Sequence, residues 1–134
     1  MAIFIATSPY QMLQVRTLVS EELGKARWDQ IESQPCDWLI AVEEGDKVIA
    51  CAAWGRAAFH WRSWWMGLCV VAPEHRRKGL ADQMIAQRLQ AIKNQGGGNV
   101  FVSALHHDTT RFLKHGFSAI ALQGDTHNLL ITEV

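Results

Sequence analysis

The chain has 134 residues, 49% of them apolar and 19% charged, with 13 basic against 13 acidic side chains, six tryptophans and five phenylalanines. That composition excludes a disordered segment, the length suffices for a core without disulfide or metal staples, and a formal charge of zero provides no global field for nucleic acid or an acidic membrane. One domain over residues 1–134 is expected, and any anion site on it must be local. The apolar start, Met1 to Ala6, is interrupted by Thr7-Ser8-Pro9 and has no basic segment before it, which does not fit a signal peptide. No apolar run approaches the about 18 residues of a membrane span. Cys36, Cys51 and Cys69 are odd in number and lack C-x-x-C spacing, so a reducing, cytoplasmic setting is expected.

In chain order, residues 2–6 read as a strand, and Ser8-Pro9 offers an N-cap followed by proline at the first helical position. Met12, Val15, Val19 and Leu23 recur at helical spacing, Gly24 is a stop, and a weaker helix is predicted over 26–33. Apolar runs over 38–43 and 47–54 flank Glu44-Gly45-Asp46 as a hairpin, and a third run over 64–71 ends before Pro73. From Gly79 the period changes. Leu80, Ala81, Met84, Ile85, Leu89 and Ile92 form one stripe opposite Asp82, Gln83, Gln87, Gln90 and Lys93, and Gly96-Gly97-Gly98 ends the helix. A strand over 100–105 and a short helix over 109–115 follow, and Gly116-Phe117 has the form of a Schellman ending. Strands over 119–123 and 128–132 close a second hairpin around Gly124-Asp125. The order βααβββαβαββ predicts an α+β fold with a mixed, mostly antiparallel sheet and one strand, helix, strand crossover.

The chemistry is concentrated in residues 69–82, Cys-Val-Val-Ala-Pro-Glu-His-Arg-Arg-Lys-Gly-Leu-Ala-Asp. A strand ends, a tight polar loop follows, and a helix begins inside Arg76 to Ala81. The unpaired N–H groups and positive dipole of a helix start suit a phosphate or diphosphate. Gly79 and Ala81 let the main chain come close to such a ligand, and Arg76, Arg77 and Lys78 add charge beside it.

Val71-x-Pro73 followed by Arg76-x-x-Gly79-x-Ala81 resembles the acyl-CoA pyrophosphate signature of the GNAT superfamily of N-acyltransferases. Phe112-Leu113-Lys114-His115-Gly116-Phe117 is similar to that superfamily's Y-x-K-x-G-F segment, and the element order agrees. The resemblance implies a three-layer α/β/α fold that moves an acetyl group from acetyl-CoA to a primary amine, by direct transfer in a ternary complex. It implies that the main chain of Cys69, Val70 and Val71 pairs with the pantetheine arm, that the amides of Arg76, Arg77, Lys78, Gly79, Leu80 and Ala81 hold the diphosphate, and that Phe112 belongs to the cofactor site. It also implies an acceptor entrance shaped by the first two helices and residues 55–63.

Two positions depart from the family pattern. The usual tyrosine acid is replaced by Phe112, and the strand position where some members carry a glutamate base holds Trp65. Transfer would then rely on positioning, with proton traffic through water or through His107 and His60, since histidine titrates near neutrality. A CoA-binding regulatory or partner-binding domain without transfer activity is the alternative reading. Trp61, Trp64 and Trp65 either wall an acceptor pocket or pack the strands. His106, His107 and His115 come without H-E-x-x-H or suitably spaced cysteines, so no metal is expected. The expected partners are an acyl-CoA and an amine acceptor, not nucleic acid or membrane. Exposed tryptophans would fit a homodimer.

Overall fold

A computed structural model describes residues 1–58 and 62–134. The elements are β1 (Ala2–Ile5), α1 (Pro9–Leu23), α2 (Lys25–Glu32), β2 (Asp37–Glu43), β3 (Lys47–Arg56), β4 (Ser63–Val71), α3 (Leu80–Asn94), β5 (Asn99–Leu105), α4 (Thr109–Leu113), β6 (Ser118–Gln123) and β7 (His127–Glu133). This is the predicted order. Two 3-10 turns, Pro73–His75 and His106–Asp108, were not anticipated. Among the described residues the strands form a seven-stranded sheet in the order β1-β2-β3-β4-β5-β7-β6, with β4 and β5 parallel and the β1–β2, β5–β7 and β6–β7 pairs antiparallel. No helix among the described residues is long and apolar enough to cross a membrane.

The chain divides into two compact units, residues 1–53 with 68–84, and residues 54–67 with 85–134. In the first, α1 opens on a full capping box. The Ser8 hydroxyl accepts from the Gln11 N–H at 3.1 Å, while Gln11 Oε1 accepts from the N–H groups of Thr7 and Ser8. Val15, Leu18 and Val19 are buried, whereas Leu23, predicted on the same stripe, is 48% exposed. Gly24, at φ 93°, ends α1 and starts α2 directly, so the apolar face turns away before Leu23 is covered. Gln14 ties α1 to the β2–β3 turn, donating to the Asp46 carbonyl and accepting from the Val48 N–H, both at 2.9 Å. Trp38 to Val42 and Val48 to Ala53 are continuously buried, the pattern of strands covered on both faces.

In the second unit the glycines after α3 are required by close approach. A Cβ on Gly98 would run into the Arg62 carbonyl oxygen and one on Gly97 into that of Val134. Gly98 and Val134 exchange main-chain hydrogen bonds of 2.9 and 3.0 Å, and Asn99 N–H donates to Arg62 O at 3.0 Å, which starts β5. The α4 ending is a Schellman motif: Phe117 N–H donates to Phe112 O and Gly116 N–H to Leu113 O. That closure ends α4 at Leu113, short of the predicted 115. The edge strand β6 is exposed throughout, with Ile120 and Leu122 at 51% and 74%.

Candidate active site

In the first unit, β4 ends with Ala72 N–H donating to Ile49 O at 2.8 Å. The turn over Pro73–His75 then closes with His75 N–H on Ala72 O at 2.9 Å and Arg76 N–H on Pro73 O at 3.4 Å. Arg77 (φ 63°) and Gly79 (φ 78°) are both left-handed, and these two reversals bring the chain to the start of α3 at Leu80. The first bond into the helix runs from Gln83 N–H to Gly79 O at 3.1 Å, so the N–H groups of Leu80 and Ala81 precede it and have no intrahelical acceptor. A Cβ placed on Gly79 meets no atom within 4 Å, so the main chain there faces open space.

The three basic residues divide by role. Arg76 braces the turn, its Nε donating to Val71 O at 3.1 Å and its Nη2 to Glu22 Oε1 on α1 at 2.6 Å. Because its N–H is also bonded, Arg76 does not offer the main-chain donor expected of it; the candidate donors are Arg77 to Ala81. Arg77 and Lys78 are exposed and form no ion pair among the described residues. Beside the turn, Lys47 Nζ lies 3.8 Å from Glu74 Oε1 and His75 Nε2 lies 3.5 Å from Glu43 Oε2. The Glu74 carboxyl is held below the usual carboxylate range, first by its own main-chain N–H and then by the charges of Lys47, His75 and Arg76. On β4, Val70 is buried while Cys69 and Val71 are half-buried.

In the second unit the β4–β5 register covers Ser63↔Asn99 to Met66↔Val102, whereas β5 stays paired with β7 as far as Leu105↔His127. Gly67 follows the last β4–β5 pair, and its carbonyl accepts from Nη1 of Arg88 at 3.0 Å. Arg88 is fully buried, four residues from both Met84 and Ile92 on the buried face of α3. The apolar stripe read from the sequence passed over it. The signal was there, a cation at a core-facing position between two buried apolar residues. Trp65, the residue that departs from the glutamate the resemblance implies in some members, is half-buried opposite Phe101.

The remaining predicted residues are also placed. His107 lies on the 3-10 turn after β5 with its side chain 75% exposed, Nε2 3.5 Å from Asp108 Oδ2. Phe112 is half-buried against Phe117, rings edge to face at 5.4 Å. Trp64 is buried, donates to Gly97 O at 2.9 Å and lies under the Arg56 guanidinium at 4.2 Å, so it packs the strand instead of walling a pocket. Trp28, Trp38 and Trp54 are buried too and Trp65 is half-buried, so among the described residues no tryptophan forms the exposed surface that would fit a homodimer. His60 and Trp61 lie outside the described residues. Among the described residues no three His, Cys, Asp or Glu side chains come together as a metal site.

Solved structures share this fold at low identity. An acyl-CoA N-acyltransferase from Pseudomonas aeruginosa matches with a TM-score of 0.82 at 18% identity, over 98% of this chain and 99% of that one. A GNAT family N-acetyltransferase from Escherichia coli, solved in complex with CoA, gives 0.78 at 17% identity over 98% of this chain and 80% of that one. The aminoglycoside 6'-N-acetyltransferase from Enterococcus faecium gives 0.78 at 11% identity, over 99% and 97%. No curated protein matches the chain. The sequence model of the Acetyltransferase (GNAT) family matches residues 7–117, a stretch that spans the turn after β4, all of α3 and the whole of α4, and the chain belongs to that family.

Proposed function

We propose that residues 1–134 form one N-acetyltransferase domain that moves an acetyl group from acetyl-CoA to a primary amine in a ternary complex. The observation that carries this reading is the open, left-handed turn at Arg77 to Gly79, which delivers the N–H groups of Leu80 and Ala81 beside two unpaired cations. Such a seat suits a diphosphate. The CoA held by the Escherichia coli structure supports the same ligand here.

In this reading the diphosphate sits on the amides of Arg77 to Ala81 with Arg77 and Lys78 beside it, and the pantetheine arm runs along the main chain of Cys69, Val70 and Val71. The acceptor arrives as an ammonium and loses its proton to water, with His107 or His60 as the proton carrier. The nitrogen attacks the thioester carbonyl, a β4 main-chain N–H stabilises the oxyanion, and collapse breaks the carbon–sulfur bond while the nitrogen gives its second proton to water, leaving the neutral amide. The departing thiolate takes a proton from water, since Phe112 has none to give. Positioning supplies most of the acceleration. No metal enters the scheme. All three cysteines are thiols, in keeping with a cytoplasmic setting. A homodimer would form through the exposed β6 edge.

The alternative, a CoA-binding regulatory domain without turnover, is favoured by Phe112 and Trp65 at the two proton-transfer positions. Thiol release from acetyl-CoA across a panel of primary amines separates them. Release that depends on an amine supports transfer; tight CoA binding with no release from any amine supports the binding domain.

A further inference from the structure

In the first unit a cavity of about 520 Å³ opens between the start of α1, the end of α2 and the start of β2. Its apolar wall is made by Met12 with Trp28 and Trp38, the two rings being 5.8 Å apart and tilted by 33°. Three charged side chains line the same cavity, each one step from that wall: Arg16 a helical turn after Met12, Glu32 a helical turn after Trp28, and Asp37 directly before Trp38. All three are exposed, and none forms a hydrogen bond or ion pair with another described residue. Trp28 itself is 4% exposed, and its indole N–H has no acceptor among the described residues.

Opposite charges that share a cavity without neutralising one another can each take a partner from a ligand. Two carboxylates disfavour a purely anionic ligand, and the guanidinium disfavours a polyamine. A neutral aromatic compound would leave all three charges unused. What satisfies both signs and the aromatic wall is a small zwitterion with an apolar body. We propose that this cavity binds a free α-amino acid with an apolar or aromatic side chain, its ammonium at Glu32 and Asp37, its carboxylate at Arg16, and its side chain against Trp28 and Trp38. The site stands on the cavity alone and holds whether or not the chain transfers acetyl groups.

The test follows the indole N–H resonances of Trp28 and Trp38 in the full chain during titration with L-phenylalanine, phenylalanine amide and N-acetylphenylalanine. A saturable shift with L-phenylalanine is expected, and each analogue, lacking one charge, should bind about tenfold more weakly or worse. Arg16→Gln should erase the preference over the amide, and Glu32→Gln should weaken the preference over the N-acetyl compound. Both positions are exposed, and an unchanged amide spectrum confirms the fold. No saturable shift at millimolar amino acid overturns the proposal. So does an amide that binds as well as the amino acid, which would mark an amine or peptide N-terminus site, or an N-acetyl compound that does so, which would mark a carboxylate site.

Discussion

Nη1 of Arg88 donates to the carbonyl oxygen of Gly67 at 3.0 Å from a fully buried position on α3. Gly67 is where β4 leaves its register with β5, so a buried cation fixes the peptide at which the strand begins to run without that neighbour. Arg88→Ala should destabilise the fold by about 3 kcal/mol or more, combining a cavity with an unsatisfied carbonyl. Arg88→Met, which keeps most of the volume, should cost about 1–3 kcal/mol, the penalty of the unmatched Gly67 carbonyl. Denaturant midpoints check both. In the folded Arg88→Met variant, the rate at saturating acetyl-CoA should fall more than the affinity for CoA, because in the proposed function the β4 main chain faces the reacting carbonyl and the turn at Arg77 to Ala81 faces the diphosphate.

The two neighbouring arginines should separate in experiment. Arg76 acts through Val71 and Glu22, so Arg76→Ala and Glu22→Gln should each lower stability, by about 1 kcal/mol or less given the exposure of that pair. Arg77 has no such partner, and Arg77→Ala should weaken CoA binding without lowering stability, an effect that shrinks as salt rises. Arg77→Gly should even raise stability by at most about 1 kcal/mol, because it relieves a left-handed side chain at φ 63°.

Cys36 lines the cavity between α1, α2 and β2, and its thiol is pushed above the usual range by burial and then by the Asp37 carboxylate, against a smaller opposing hydrogen bond from Trp38. A thiol whose folded pKa is raised supports the fold fully below the ordinary thiol range, and that support is lost as pH rises through the folded value. Alkylation of Cys36 at neutral pH should therefore be slower than that of an unfolded-chain thiol. Asp37→Asn should speed it by lowering the thiol pKa. Mass spectrometry of the labelled peptide reads both effects.

The β6 edge carries Ala119, Ile120, Ala121 and Leu122 with no charged residue or proline, a composition that rarely guards an exposed edge. If it forms the proposed dimer, sedimentation should report twice the chain mass, and Leu122→Lys should return it to one copy with an unchanged circular dichroism spectrum.

Much of the fold was legible because its local signals were strong. Ser8-Pro9 marked the start of α1, Gly116-Phe117 the Schellman ending, and Glu44-Gly45-Asp46 the hairpin, each through chemistry confined to a few residues. The partner of Ser8 in the capping box, Gln11, was equally local and readable as S-x-x-Q. What escaped the sequence was tertiary. Nothing near Arg88 announces Gly67, and nothing near Arg76 announces Glu22, 54 residues away. The cavity needs α1, α2 and β2 assembled before Arg16, Glu32 and Asp37 share a rim. The tryptophans left two readings open for a similar reason: a ring that suggests a binding surface in sequence is equally at home in a core, and for Trp64 the structure selects packing, its N–H finding a main-chain acceptor.

The central claim is that the turn at Arg77 to Ala81 seats a diphosphate, and titration calorimetry with CoA tests it most directly. Asparagine tolerates the left-handed backbone of Gly79 better than other side chains, yet would fill the open space above it. Wild type should bind CoA, and Gly79→Asn, folded and of near wild-type stability, should bind about tenfold more weakly or worse. Equal affinity of the two proteins, or no heat of binding to wild type, would contradict the account.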